Sequence, residues 1–141
     1  MTVQSGAAVG GSGSIGGDLA INAGGMFVFS STDTLSVLGD VLLDTTFGVD
    51  DLLFDSGFPA SANTFTLIDS TPTDFSTLGI ENFGLANAFD FGNGFVGHFA
   101  SGSGLDLVVV NAIPEPSTVA FLSALMAFGW FAARRRRAAR N

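Results

Sequence analysis

Apolar and polar positions alternate in short runs along most of the chain. Leu35-Ser36-Val37, Phe65-Thr66-Leu67 and Leu105-Asp106-Leu107 each put every second side chain on one face, the period of a strand with one buried side. The runs are rich in β-branched and aromatic residues and are separated by glycine- and aspartate-rich turns, which favours strands over helices. This pattern predicts strands at 18–22 (DLAIN), 26–30 (MFVFS), 34–38 (TLSVL), 40–44 (DVLLD), 64–68 (TFTLI), 95–99 (FVGHF) and 105–110 (LDLVVV).

The pattern also repeats. Residues 14–22 read SIGGDLAIN and 36–44 read SVLGDVLLD, with Ser14/Ser36, Gly17/Gly39 and Asp18/Asp40 identical. An offset of 22 residues suits one coil of a β-solenoid, in which each rung buries its apolar face on the next. The expected fold class is therefore all-β, with a right-handed β-solenoid-like body over residues 1–112 and a small β-sandwich as the alternative. Residues 69–94 are less regular, and Phe75, Leu78, Phe83, Leu85, Phe89, Phe91 and Phe95 are expected to plug the open end of the stack.

Beyond the body the pattern changes. Residues 118–133, TVAFLSALMAFGWFAA, carry no charge and are apolar on every face, the mark of a buried or transmembrane helix. A helix of that length spans roughly 24 Å, a little under the ~30 Å hydrocarbon core, a gap that snorkelling arginines and local thinning of the bilayer close. Arg134, Arg135, Arg136 and Arg137 follow directly, and with Arg140 they are all the basic residues of the chain. The positive-inside rule puts them in the cytoplasm, as a stop-transfer cluster, and the body across the membrane. Ahead of the helix, Pro114-Glu115-Pro116 holds the backbone extended where an enzyme can grip it.

Taken in order, the Pro-Glu-Pro motif, the apolar span and the arginine cluster of residues 113–141 (IPEPSTVAFLSALMAFGWFAARRRRAARN) resemble a PEP-CTERM sorting signal. That signal is found on exported proteins of Gram-negative, exopolysaccharide-producing bacteria. The resemblance implies recognition of Pro114, Glu115 and Pro116 by an exosortase-type membrane protease. It also implies a transient anchor in the lipid bilayer at 118–133 and a basic cluster at 134–140. The protein would pass through the inner membrane as a sorting intermediate and end at the cell surface or outside, with exopolysaccharide a possible partner. The glycine-rich strands of residues 10–55 are loosely similar to autotransporter-associated β-strand repeats. Proteins with such tails carry a secretion signal, and MTVQSGAAVGGSGSIGG has neither a basic nor an apolar stretch of that kind. Residues 1–112 are accordingly expected to be the C-terminal part of a longer exported protein.

Composition narrows the chemistry further. Twelve of the thirteen acidic residues, all but Glu115, lie in residues 1–113, a stretch without lysine or arginine. A body carrying about −12 repels phosphate backbones, so nucleic acid is not an expected partner. Absence of cysteine excludes thiolate chemistry and disulfides, absence of lysine excludes a Schiff base, and the single histidine, His98, excludes a multi-histidine metal site within one chain. Gly11-Ser-Gly13-Ser-Ile-Gly16 matches GxGxxG literally but lacks the strand before it and the helix after it, and it reads as a glycine-rich turn. His98, between Gly97 and Phe99, reads as a strand-face residue rather than a general base. The carboxylate pairs Asp50/Asp51, Asp40/Asp44 and Asp90/Asp106 are nominal for glycoside hydrolysis, but no basic residue is present to orient a sugar. Calcium is the one cofactor considered, held by Asp18 and Asp40, which stacking would place about one strand spacing (~4.8 Å) apart.

The expected function is that of a non-enzymatic structural or adhesive envelope protein. The alternatives are a permanently anchored single-pass membrane protein and the C-terminal appendage of an exported polysaccharide-active enzyme.

Overall fold

The computed structural model describes residues 1–55 and 57–112, and within them the chain is all-β. Nine short strands come first: β1 (Thr2–Val3), β2 (Ala8–Gly10), β3 (Gly13–Ile15), β4 (Leu19–Ile21), β5 (Met26–Phe29), β6 (Leu35–Val37), β7 (Val41–Leu43), β8 (Leu52–Phe54) and β9 (Asn63–Asp69). Three more complete the body: β10 (Phe89–Asp90), β11 (Phe95–Ser101) and β12 (Gly104–Asn111). Single turns of 3₁₀ helix lie at Val49–Asp51, Phe75–Thr77 and Leu85–Asn87.

The first nine strands form three parallel ladders visited in rotation: β1-β4-β7, β2-β5-β8 and β3-β6-β9. The 22-residue echo is the register of this stacking, since Ser14 pairs with Ser36 and Leu19 with Val41. The offset differs elsewhere, for Ala8 pairs with Met26 and Phe27 with Leu52. Loops at the corners absorb the difference while the short strands keep their inward positions. The third ladder then changes character. β9 pairs antiparallel with β12, which pairs with β11, which pairs with β10, giving a six-stranded sheet in the order β10-β11-β12-β9-β6-β3. Parallel ladders of this kind are not the antiparallel sheets of a small β-sandwich.

The core follows from the alternation. Leu19 and Ile21, Phe27 and Phe29, Leu35 and Val37, and Val41 and Leu43 point inward as i, i+2 pairs, stacked rung upon rung. Leu67, Ile68, Phe99, Leu105, Leu107 and Val109 continue the same interior from the antiparallel part. Each fully buried side chain of this size contributes roughly 1.5–3 kcal/mol relative to exposure.

The irregular segment packs on the same core. Phe75 and Phe91 are buried; Leu78, Phe83, Phe89 and Phe95 pack partly against the core. Leu85 departs from the expectation, with about half its surface exposed. Polar groups fix the segment to residues 39–49. The Val41 N–H donates to Thr73 Oγ1 at 2.7 Å, and Ser70 Oγ donates to the Gly39 carbonyl at 3.1 Å. Glu81 N donates to the Phe47 carbonyl at 2.9 Å, and Asn82 Oδ1 accepts from Val49 N at 2.9 Å. The first of these contacts gives edge strand β7 a partner beyond its own ladder.

Gly11-Ser-Gly13-Ser-Ile-Gly16 is not wholly a turn, for Gly13–Ile15 is strand β3 on the edge of the largest sheet. Among the described residues no helix is long and apolar enough to cross a membrane. The expected helix at 118–133 lies outside the described residues.

Candidate functional site

Stacking brings Asp18 and Asp40 together at one corner, as the echo implies. The Asp18 carboxylate accepts the backbone N–H of Asp40 at 3.0 Å, while Leu19 N donates to the Asp40 carbonyl at 2.9 Å. One Asp18 oxygen is therefore spent on joining two rungs. Calcium takes roughly six to eight oxygens, and among the described residues no group of three or more acidic or histidine side chains is placed to hold a metal.

The other carboxylates serve local turns. Asp44 Oδ1 accepts from the amide and hydroxyl of Thr46 at 2.9 and 2.7 Å, and these bonds hold its carboxyl below the usual range. Asp51 Oδ2 accepts from Gly48 N at 3.0 Å, yet burial, aided by Asp50 and Asp44, pushes its pKa up. Asp90 pairs with Val96 and Asp106 with Ala100, at opposite ends of β11. Asp106 accepts from Thr66 Oγ1 at 2.7 Å. Asp90 and Asp106 are therefore not a facing couple. His98 lies on β11 opposite Val108, its Nδ1 buried without a partner, and burial lowers its pKa.

The feature that sequence reasoning missed is an aromatic ridge. Phe65, Phe29, Phe54, Phe58 and Phe91 form an unbroken chain of ring contacts with centroid distances of 5.2, 5.2, 5.1 and 5.2 Å, and Phe89 joins Phe91 at 5.7 Å. The chain runs from the buried Phe29 out to Phe58, which is 52% exposed. A cleft lies on either side of Phe58. One, of about 400 Å³, is lined mainly by Leu52, Leu53, Phe54 and Phe89; the other, of about 460 Å³, by Phe29, Pro59, Asn63 and Phe65. A large apolar residue between Gly57 and Pro59, in a turn rather than a strand, was the available signal.

This ridge stands beside the point where the body hands over to the residues that follow. Asn93 Nδ2 donates to the Pro59 carbonyl at 3.1 Å, tying the turn after β10 to the ridge loop. Ala112 N donates to the carbonyl of Gly94 in that same turn at 2.9 Å. Gly94 has φ +85°, a conformation that favours glycine.

Pro114, Glu115, Pro116 and Arg134–Arg137 lie outside the described residues, so their case rests on sequence. No curated protein and no solved structure matches the chain at a significant level. Residues 112–137 match the family model of the PEP-CTERM protein-sorting motif, which begins at the residue where the body's last backbone hydrogen bond is made. The chain thus carries a PEP-CTERM protein-sorting motif, a signal that implies exosortase-dependent sorting, with a membrane-associated step, of a protein bound for the cell surface.

Proposed function

We propose that this chain is a structural or adhesive protein of the cell envelope or extracellular space, non-enzymatic over residues 1–112. In this reading an exosortase-type protease recognises Pro114-Glu115-Pro116 and cleaves near it. Residues 118–133 hold the precursor in the inner membrane until then, and Arg134–Arg137 stop transfer. The match to the sorting motif at residues 112–137 is the observation that carries the proposal. The order of the three parts fits it physically: a stiff extended tripeptide is a protease handle, and an uncharged span ahead of arginines is retained with its basic end inside.

The body is read as a right-handed β-solenoid with an antiparallel cap. Rotation of the chain through three parallel ladders supports a coil, and the strong right-handed preference of parallel crossovers supports its hand. An acidic surface stiffened by stacked rungs suits a soluble, extended module. Asp18, Asp44, Asp51 and Asp106 each accept hydrogen bonds in turns or between strands, which supports a structural role for them. Exopolysaccharide is the partner class suggested by the resemblance.

The test is the C-terminus of the mature protein. Mass spectrometry of chain recovered from membrane and extracellular fractions should find extracellular protein ending near Pro114–Pro116, without the arginines. Replacing Pro114 and Pro116 by alanine should leave uncleaved chain in the membrane. Intact chain through Asn141 found only in membranes would instead favour a permanent anchor.

A further inference from the structure

The exposed ridge and the exit point share one corner of the body, and the connection to the apolar span is short. Five residues, 113–117, separate Ala112 from Thr118. At 3.3–3.6 Å per residue their six Cα steps reach about 20 Å when fully extended. The headgroup zone on each side of a bilayer is about 5–7 Å deep, the difference between the ~30 Å core and the ~40–45 Å total. While the span is in the membrane, the exit corner therefore stays within about 15 Å of the headgroup surface. The rim of that corner presents Phe58 and Leu53, 52% and 42% exposed; both line a mainly apolar cleft, and Phe58 also borders a second cleft of mixed polar and apolar lining.

From this we infer that the Phe58 corner is a lipid-contacting surface: it rests in the interface of the bilayer that holds the span and orients the body with the β3 edge away from the membrane. The inference rests on the reading of residues 118–133 as a membrane span. Apolar side chains on the face of a tethered domain gain from partial entry into the headgroup boundary, as the Phe and Leu faces of interfacial helices do. The tether supplies the proximity, so even a small apolar area is enough. Gly17 marks the opposite end. It follows β3 by two residues, three strand spacings (~14 Å) from β12 in the sheet and beyond the level of Leu105 rather than near Asn111, some six residues (~20 Å) farther along the strands, and a Cβ placed there meets open space. Docking at this corner also presents Pro114–Pro116 at the membrane surface, where a membrane protease works.

The chain offers clean probes. It has no cysteine and one tryptophan, Trp130, within the span. Full-length chain is reconstituted in phosphatidylcholine vesicles as the single-cysteine variants Phe58→Cys, Leu53→Cys and Gly17→Cys, each carrying an environment-sensitive fluorophore, with native-like circular dichroism required of each. Lipids spin-labelled in the headgroup region and in the acyl chain serve as quenchers. The expected result is Trp130 quenched by the acyl-chain label, with positions 58 and 53 quenched several-fold more than position 17 by the headgroup label. Trp130 quenched, with 58 and 53 no more quenched than 17, overturns the docking and leaves the span intact. Trp130 unquenched overturns the span, and the docking with it. Protection of 58 and 53 only when an exosortase-type protease is added assigns the corner to that protease and overturns the lipid contact.

Discussion

Gly39→Ala against Gly17→Ala tests the stacking of rungs directly, because the two glycines are equivalent in the echo and differ only in what lies on them. Neither requires a positive φ. A Cβ on Gly17 meets open space. A Cβ on Gly39 meets the Asp18 carboxylate, with the Asp18 amide nitrogen and the Gly17 carbonyl carbon both at 2.7 Å, inside any normal contact distance. Most of that obstacle is backbone and cannot swing aside, so the rungs must separate. Overpacking of this kind costs about 1–3 kcal/mol. Disruption of the bond between Asp18 and the Asp40 amide, 3.0 Å long, adds about 1 kcal/mol. Gly39→Ala should thus destabilise by about 2–4 kcal/mol, a fall in melting temperature of about 10 °C for a body of this size. Gly17→Ala should be neutral or slightly stabilising, since it restricts the unfolded chain at no cost in the fold. Thermal and urea denaturation of the full chain, followed by circular dichroism, gives both values. Equal stability of the two variants would refute the placement of Gly39 beneath Gly17 and Asp18.

The closing segment and the lone histidine supply two further expectations. Asn82 holds φ at 54°, accepts from Val49 N with its Oδ1 and donates from Nδ2 to the Asn87 carbonyl at 3.0 Å. Asn82→Ala leaves the amide of fully buried Val49 without its acceptor and puts a Cβ residue without a polar side chain in the left-handed region. A loss of about 2–4 kcal/mol in urea unfolding is expected, and a change under 0.5 kcal/mol would remove Asn82 as the clasp. Burial holds the His98 pKa below the ordinary imidazole value of 6.5. Above that value both folded and unfolded states are neutral; between it and the lower folded value only the unfolded chain takes up a proton, so stability should fall as pH falls through that window. NMR titration of the single imidazole checks the direction, and a folded pKa at or above 6.5 would contradict it.

Much of the architecture is legible in the amino-acid sequence, and for a physical reason. Seven strands were expected from alternation and turn chemistry, and β4, β5, β6, β7, β9, β11 and β12 fall on them. Those strands either bury every second side chain or are bounded by glycine and aspartate, and both signals are local. The register of Ser14 on Ser36 was also visible, because stacking repeats the same environment and so the same residues. The sorting motif at 112–137 needed no fold at all, since its parts are defined by composition and order. Strands β1, β2, β3, β8 and β10 carry no such signal: β1 and β10 have two residues, β2 and β3 contain glycine, and β8 is apolar throughout, so their pairing is decided by the neighbouring strands. Tertiary structure alone decided that the third ladder turns antiparallel at β9 and β12, that Asp18 is spent on the Asp40 amide, and that Phe58 stands at the exit corner. Each of these depends on contacts between residues far apart in the chain, such as Asn93 with Pro59, and no local pattern encodes which distant partner will be present.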